Sequence, residues 1–349
     1  MASKSHGLRT YVLRRLLLMF PTLLGVTFVV FLLTQFVPGG PIEQLRMRMA
    51  GGGGSGEVMS GGGRGARTEI PEAQLQVLKE YYGFDKPVIV RYGLYMKNLL
   101  TLNLGESQRY LRPVTELIAA RIPVSLYFGL ITTVLTYSIC VPLGILKALK
   151  HRTVLDNATS ALIFIGYSIP GYALGAVLLV TFAVKMDLFP LSGFVSNNFD
   201  QLSGLEKVKD LFNHTFLPLI CLSLGSFAFM TMLMKNSLME NMSADYVKTA
   251  LAKGLTWKRA VFVHALRNSL IPMATSVGSN IGILIAGFLL VERVFGIPGM
   301  GLLFFDAMQA RDYPVVMGIA VISAVLLLIG NLISDLTVAF VDPRVRFGS

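Results

Sequence analysis

Residues Ala244 to Pro272 read ADYVKTALAKGLTWKRAVFVHALRNSLIP, a polar stretch set between two long charge-free runs. Val247, Ala250 and Leu251 recur at helical spacing on one side, so the first half, Ala244 to Lys253, predicts about ten residues of helix. The small residues Thr249, Ala250 and Ala252 keep that helix slim. Gly254 falls where a helix stops, because glycine takes the left-handed conformation at no steric cost. A second helix over Trp257 to Asn268 is expected to follow, with Thr256 capping it through a bond from a backbone N–H two or three residues on. Lys258, Arg259 and Arg267 are its only formal charges. The stretch therefore predicts helix, glycine elbow, helix, a shape suited to meeting a partner.

Working outward, composition fixes the setting. The 349 residues are 53% hydrophobic and 15% charged, with a mean hydropathy of +0.62. That is too apolar for an ordinary soluble domain and reads as an integral membrane protein. The net charge of +11 could suggest nucleic acid, but the cations sit beside apolar runs and form no basic face with interleaved aromatics, so no nucleic-acid partner is expected. Cys140 and Cys221 both lie inside apolar runs and read as packing residues; the four histidines are scattered without metal-ligand spacing.

Leu16 to Val37 is the first charge-free run, preceded by Lys4, Arg9, Arg14 and Arg15. Its length and its Pro38-Gly39-Gly40-Pro41 ending mark a retained span instead of a cleaved signal peptide. Ile122 to Leu146, Ala158 to Val184, Thr215 to Met234, Ser269 to Val291 and Tyr313 to Ser334 are five further runs of helix-spanning size. Six spans place residues 38–121 on one side as a long external segment. Its Gly51 to Gly65 portion holds nine glycines, a flexible insert by composition. No Gly-Lys-Ser or Gly-Lys-Thr follows there or elsewhere, so it is no nucleotide loop. Pro71 to Tyr82 predicts a short helix closed by Gly83. Lys and Arg number fifteen in the segments that share a side with the N-terminus, against five in the short opposite loops. Both termini are therefore expected in the cytoplasm.

No Asp, Glu, Lys or Arg lies inside the six runs so drawn. Such charges mark ion and proton relays, so a secondary carrier is disfavoured and the driving force is expected from outside the membrane, with the elbow as its handle. A membrane enzyme would need gathered acids, bases or metal ligands. The one candidate group, Glu292 with Asp306 and Asp312, lacks a His or Cys partner. No catalytic, cofactor or metal residue is expected.

The elbow resembles the EAA loop of permease subunits in ATP-binding-cassette importers, which has an Ala-rich start, a glycine and a later Ile-Pro. Gly254 and Ile271-Pro272 match. The start differs: Lys248-Thr249-Ala250 stands where the family often has Glu-Ala-Ala, a form similar to the peptide and nickel branch. Further stretches resemble the dipeptide and oligopeptide permease B subunits: Tyr82 to Pro87 and Leu104-Gly105-Glu106-Ser107; Ile165 to Pro170 and Leu188 to Gly193; Glu292, Phe295, Pro298-Gly299 and Gly301; Asp312-Tyr313-Pro314 and Val341-Asp342-Pro343-Arg344. Phe189 to Leu202 is most similar to the Yej-type microcin C and oligopeptide branch.

This resemblance implies an all-α integral membrane protein of six transmembrane helices in the type I importer permease fold. Residues 1–15 and 341–349 would be cytoplasmic, 16–37 the first helix, 38–121 periplasmic, and 122–340 the transmembrane domain with a coupling loop at 235–268. It implies import of oligopeptides, peptide antibiotics such as microcin C among them, with nickel or short dipeptides as the alternative cargo. Implied partners are a second permease, a cytoplasmic ATPase that binds ATP and magnesium, and a periplasmic peptide-binding protein, in a bacterial inner membrane and its lipid. Lys248, Thr249, Ala250, Ala252, Lys253, Gly254, Leu255, Thr256 and Trp257 would meet the ATPase. Six polar residues at span depth, Tyr137, Tyr167, Ser168, Ser276, Ser279 and Asn280, are either lining of a wet path or bonds between neighbouring helices. Pro142, Pro170 and Pro218 read first as kinks, and Gly299 and Gly301 as turn residues.

Overall fold

The computed structural model describes residues 2–36, 86–277 and 288–341, and within them it is helical throughout apart from turns and one isolated bridge. The helices are α1 (Ala2–Phe36), α2 (Val88–Leu100), α3 (Val114–Leu149), α4 (Val154–Ser168), α5 (Gly171–Leu178), α6 (Gly204–Ser243) and α7 (Asp245–Ala252). α8 is a continuous run of Trp257–Arg259, a π-helical Ala260–Ala265 and Leu266–Ser269. α9 (Leu289–Val294), α10 (Met300–Gln309) and α11 (Tyr313–Val341) follow, and a π-helical Leu179–Lys185 extends α5. The glycine-rich insert and the helix expected over Pro71 to Tyr82 lie outside the described residues.

Among the described residues, four helices are long and apolar enough to cross a membrane, over Tyr11–Leu32, Val114–Leu149, Gly204–Ser243 and Tyr313–Ala339. A fifth candidate is the pair Val154–Ser168 and Gly171–Lys185, bent by 89°. The break has a local cause. Pro170 has no N–H to continue the ladder and pushes Ile169 to an extended backbone, φ −93 and ψ 121. Pro142 and Pro218, by contrast, sit inside unbroken α3 and α6. The expected span Ser269 to Val291 falls partly on residues 278–287, outside the described ones.

α3 and α6 pack against each other along the centre, α4 and α5 lie on α6, and α1 lies on α11. Three apolar clusters stack along this body. At the elbow end Cys140, Ala148, Met230, Met234 and Leu238 pack with Val247, Ala260, Val261, Ala265 and Met273. The middle holds Phe128, Leu217, Cys221, Leu222 and Phe295. Val114, Ile118, Met300, Leu303, Val315 and Ile319 fill the far end. Both cysteines are free and buried in different clusters, the packing role expected of them.

The helices outrun the charge-free runs, so charged residues stand inside helices although the runs themselves hold none. Lys147 ends α3, Asp156 opens α4 and Lys235 lies in α6; all three are buried. Asp335 lies within α11 and pairs with Arg15 of α1 at 3.1 Å. Charges counted as loop residues are thus partly structural groups of the bundle.

Candidate coupling elbow and its connections

The elbow forms as its glycine dictates. α7 closes with Gly254 at φ +89, the Gly254 N–H donating to the Leu251 carbonyl at 2.9 Å and the Leu255 N–H to the Ala250 carbonyl at 3.2 Å. This pair of bonds is the Schellman closure, which satisfies two helix-end carbonyls. Thr256 then stands at the N-cap of α8 with an extended backbone, but its side chain makes no capping bond, contrary to expectation. Backbone geometry alone turns the chain there, and the hydroxyl stays exposed.

Of the nine residues expected at a partner surface, Lys248, Thr249, Ala252, Lys253, Gly254, Thr256 and Trp257 are exposed, and Ala250 and Leu255 are half-buried. Lys248 pairs with Asp245 at 2.9 Å in full solvent, a contact worth little. A Cβ built on Gly254 would meet nothing within 4 Å, so the elbow tip projects free of the body. Trp257 (50% exposed), Phe262 (48%) and Val263 (54%) add an uncovered apolar flank.

The other flank is fastened. Val247, Ala260, Val261 and Ala265 seat the elbow on the ends of α3 and α6. Ser237 Oγ donates to the Ser269 carbonyl at 3.1 Å and Ser269 Oγ to the Ser237 carbonyl at 3.3 Å, a reciprocal tie between α6 and α8. Beyond α8, Tyr137 Oη of α3 donates to the Met273 carbonyl at 2.9 Å. Ser334 Oγ of α11 donates to the Thr275 carbonyl at 2.6 Å. The elbow is therefore wired through helical residues 271–277 to both the centre and the edge of the bundle.

Three of the six polar residues at span depth bond backbone carbonyls. Tyr137 reaches Met273 as above; Ser168 Oγ donates to Phe164 at 2.7 Å and Ser276 Oγ to Pro272 at 3.0 Å, each within its own helical run. Tyr167 is exposed at the end of α4. Ser279 and Asn280 lie outside the described residues.

The far-end motifs converge by folding. Asp312 is fully buried and accepts from Ser107 Oγ at 2.5 Å and from the Gln108 and Arg109 N–H groups at 3.2 Å. Gly193 N–H donates to the Phe295 carbonyl at 2.9 Å. Glu292 accepts from the N–H groups of Phe288 at 3.1 Å and Leu302 at 2.7 Å, so its carboxylate sits at the N-terminus of α10 where helix N–H groups and dipole favour it. Burial pushes this carboxyl up, while N–H groups of Leu302, Phe288 and Gly301 pull the other way. Glu292 and Asp312 are thus two separate anchors, and the Asp306 carbonyl accepts from the Arg109 guanidinium at 3.3 Å and the Ala310 N–H at 3.0 Å. Gly299 and Gly301 also differ from expectation. Neither has a positive φ; a Cβ on Gly299 would lie 2.3 Å from the Glu292 carboxylate, and one on Gly301 2.8 Å from the Leu289 nitrogen. They are glycine for close approach, a reason that spacing in the chain does not reveal.

The structure thus combines a bundle of helices long and apolar enough to cross a membrane with a glycine elbow that projects from one end. Residues 140–347 match the model of the binding-protein-dependent transport system inner membrane component family, and the chain belongs to that family, with its type I ATP-binding-cassette permease fold. It is 40% identical to the peptidoglycan transport system permease protein YejB of Agrobacterium fabrum, over 97% of this chain and 98% of that one. It is 37% identical to the inner membrane ABC transporter permease protein YejB of Escherichia coli O157:H7, again over 97% and 98%. It is 33% identical to the oligopeptide transport system permease protein AppB of Bacillus subtilis, over 97% and 99%.

Proposed function

We propose that this chain is one half of the membrane pore of an ATP-driven importer of oligopeptides, with its elbow as the seat of a cytoplasmic ATPase. The observation that carries the reading is the free glycine tip of the elbow, positive in φ and open to solvent, backed by a flank wired into α3, α6 and α11. A surface of this kind takes a push on one side and passes it on through the other. Lys248, Thr249, Ala250, Ala252, Lys253, Gly254, Leu255, Thr256 and Trp257 meet the ATPase, which supplies the ATP and magnesium sites. A second permease completes the pore, and a periplasmic binding protein delivers the peptide. Residues 1–15, 235–268 and 341–349 face the cytoplasm of a bacterial cell and 38–121 the periplasm.

Peptide cargo is supported by the names of relatives, which specify oligopeptide, dipeptide and peptidoglycan transport. The decisive experiment purifies the complex, reconstitutes it in lipid vesicles and measures which compounds raise its ATP hydrolysis in the presence of the binding protein. Stimulation by linear oligopeptides, peptidoglycan stem peptides or a microcin C-type peptide antibiotic identifies the cargo. Stimulation by nickel alone, or by no peptide, overturns the reading.

A further inference from the structure

We propose that Asp156, gripped by Lys147 and Lys235, is the clamp that carries movement of the elbow to the broken helix α4–α5, a positioning cluster for transport that rests on the elbow reading above. Lys147 Nζ of α3 lies 3.0 Å from Asp156 Oδ1 and also donates to the Asp156 carbonyl at 2.7 Å, Thr159 Oγ1 at 2.8 Å and Ser160 Oγ at 2.7 Å. Lys235 Nζ of α6 donates to both carboxylate oxygens at 2.8 Å. His151 Nδ1 at 3.3 Å and the Arg152 N–H at 3.1 Å complete the shell around Oδ2. One carboxylate thus joins three helices, and Lys147, with no exposed surface, grips the first two turns of α4.

Stability alone does not account for this arrangement. Desolvating three charges costs several kcal/mol per ion, and apolar residues of similar volume are often as stable. What an ionic cluster adds is a fixed, directional geometry. α4 needs one, because Asp156 and Ile163 are its only buried residues, while Val154, Leu162 and Ile165 are 85%, 71% and 62% exposed. Within this chain the apolar side chains of its first turn, Val154 and Leu155, are exposed and half-buried, so the clamp sets its position.

The clamp also lies against the elbow's seat. Ala148 adjoins Lys147, Met234 adjoins Lys235, and both pack in the cluster with Val247, Ala260 and Val261. A displacement of the elbow therefore shifts α3 and α6 where they hold Asp156. At its other end α4 reaches Tyr167, Ser168 and the 89° break at Pro170, so movement of the clamped end swings the break.

The test uses the complete importer in lipid vesicles, with uptake of a labelled oligopeptide and ATP hydrolysis measured on one sample. Lys235→Met leaves Asp156 a single ammonium partner. The triple variant K147M/D156L/K235M removes every charge of the clamp and avoids an unpaired buried ion. Both should accumulate and retain the ATPase, with uptake per ATP reduced about ten-fold, the order of change that such coupling networks carry. Lys235→Arg, which keeps the ionic grip, should restore most of it. Unchanged uptake per ATP in either Met-containing variant, or failure of both to accumulate, shows a cluster of structural value only and overturns the proposal. Loss of the ATPase already from the unaltered complex would instead sink the elbow reading, so the two failures are distinguishable.

Discussion

At the residue scale, the least legible features are those whose partner lies far away in the chain. Glu292 reads in sequence as a lone acid near two others; in the fold it caps α10, and Gly299 leaves the room. Gly299→Ala should drive a methyl into the carboxylate and strip Leu302 and Phe288 of their acceptor, at a cost of about 2 to 4 kcal/mol. Gly225→Ala, whose Cβ meets nothing within 4 Å, is the control. Thermal unfolding of the purified protein in detergent checks the pair: the melting temperature should fall by several degrees for Gly299→Ala and stay put for Gly225→Ala. Equal melting temperatures would show that the Glu292 cap carries no weight. Lys147, Asp156 and Lys235 were hidden for the same reason. Each stands at the edge of a charge-free run, where hydropathy reads a loop, and only folding brings the three to one point.

At the element scale, the chain's local chemistry was a better guide. Gly254 ends α7 and Pro170 breaks the third span because both act on backbone torsions within a residue or two, which sequence displays directly. Thr256 shows the limit of that logic. It occupies the N-cap position expected of it, yet its hydroxyl makes no capping bond, since the Schellman closure has already fixed the turn. The π-helical Ala260–Ala265 had no signal in the apolar spacing, which differs too little between helix types over six residues. The elbow's first helix is one residue shorter at each end than its spacing predicts, whereas the central helices are longer than their runs. α3 and α6 run for 36 and 40 residues, well beyond the charge-free runs, because a helix continues past the hydrocarbon whenever its charges find water or each other.

At the scale of the whole molecule, orientation and drive are the claims that matter. The bias of Lys and Arg toward the N-terminal side predicts that Ser349→Cys is protected from an impermeant thiol reagent added outside, while Ser203→Cys, at the start of α6, is labelled. Cys140 and Cys221 are buried and give no background. Labelling of Ser349→Cys from outside would reverse the proposed topology and remove the elbow from the cytoplasm. The measurement that bears most directly on the account is made at Gly254. A Cβ there meets about 1 to 2 kcal/mol of backbone strain but no heavy atom within 4 Å among the described residues, so a much larger effect points to a partner. Peptide uptake and ATPase co-purification are compared for Gly254→Ala and Gly254→Asp at matched membrane abundance. The account predicts a mild loss for alanine and, for aspartate, loss of uptake with the second permease retained and ATPase docking or its coupled closure failed. Normal uptake by well-expressed Gly254→Asp would contradict it and leave the elbow a mere connector.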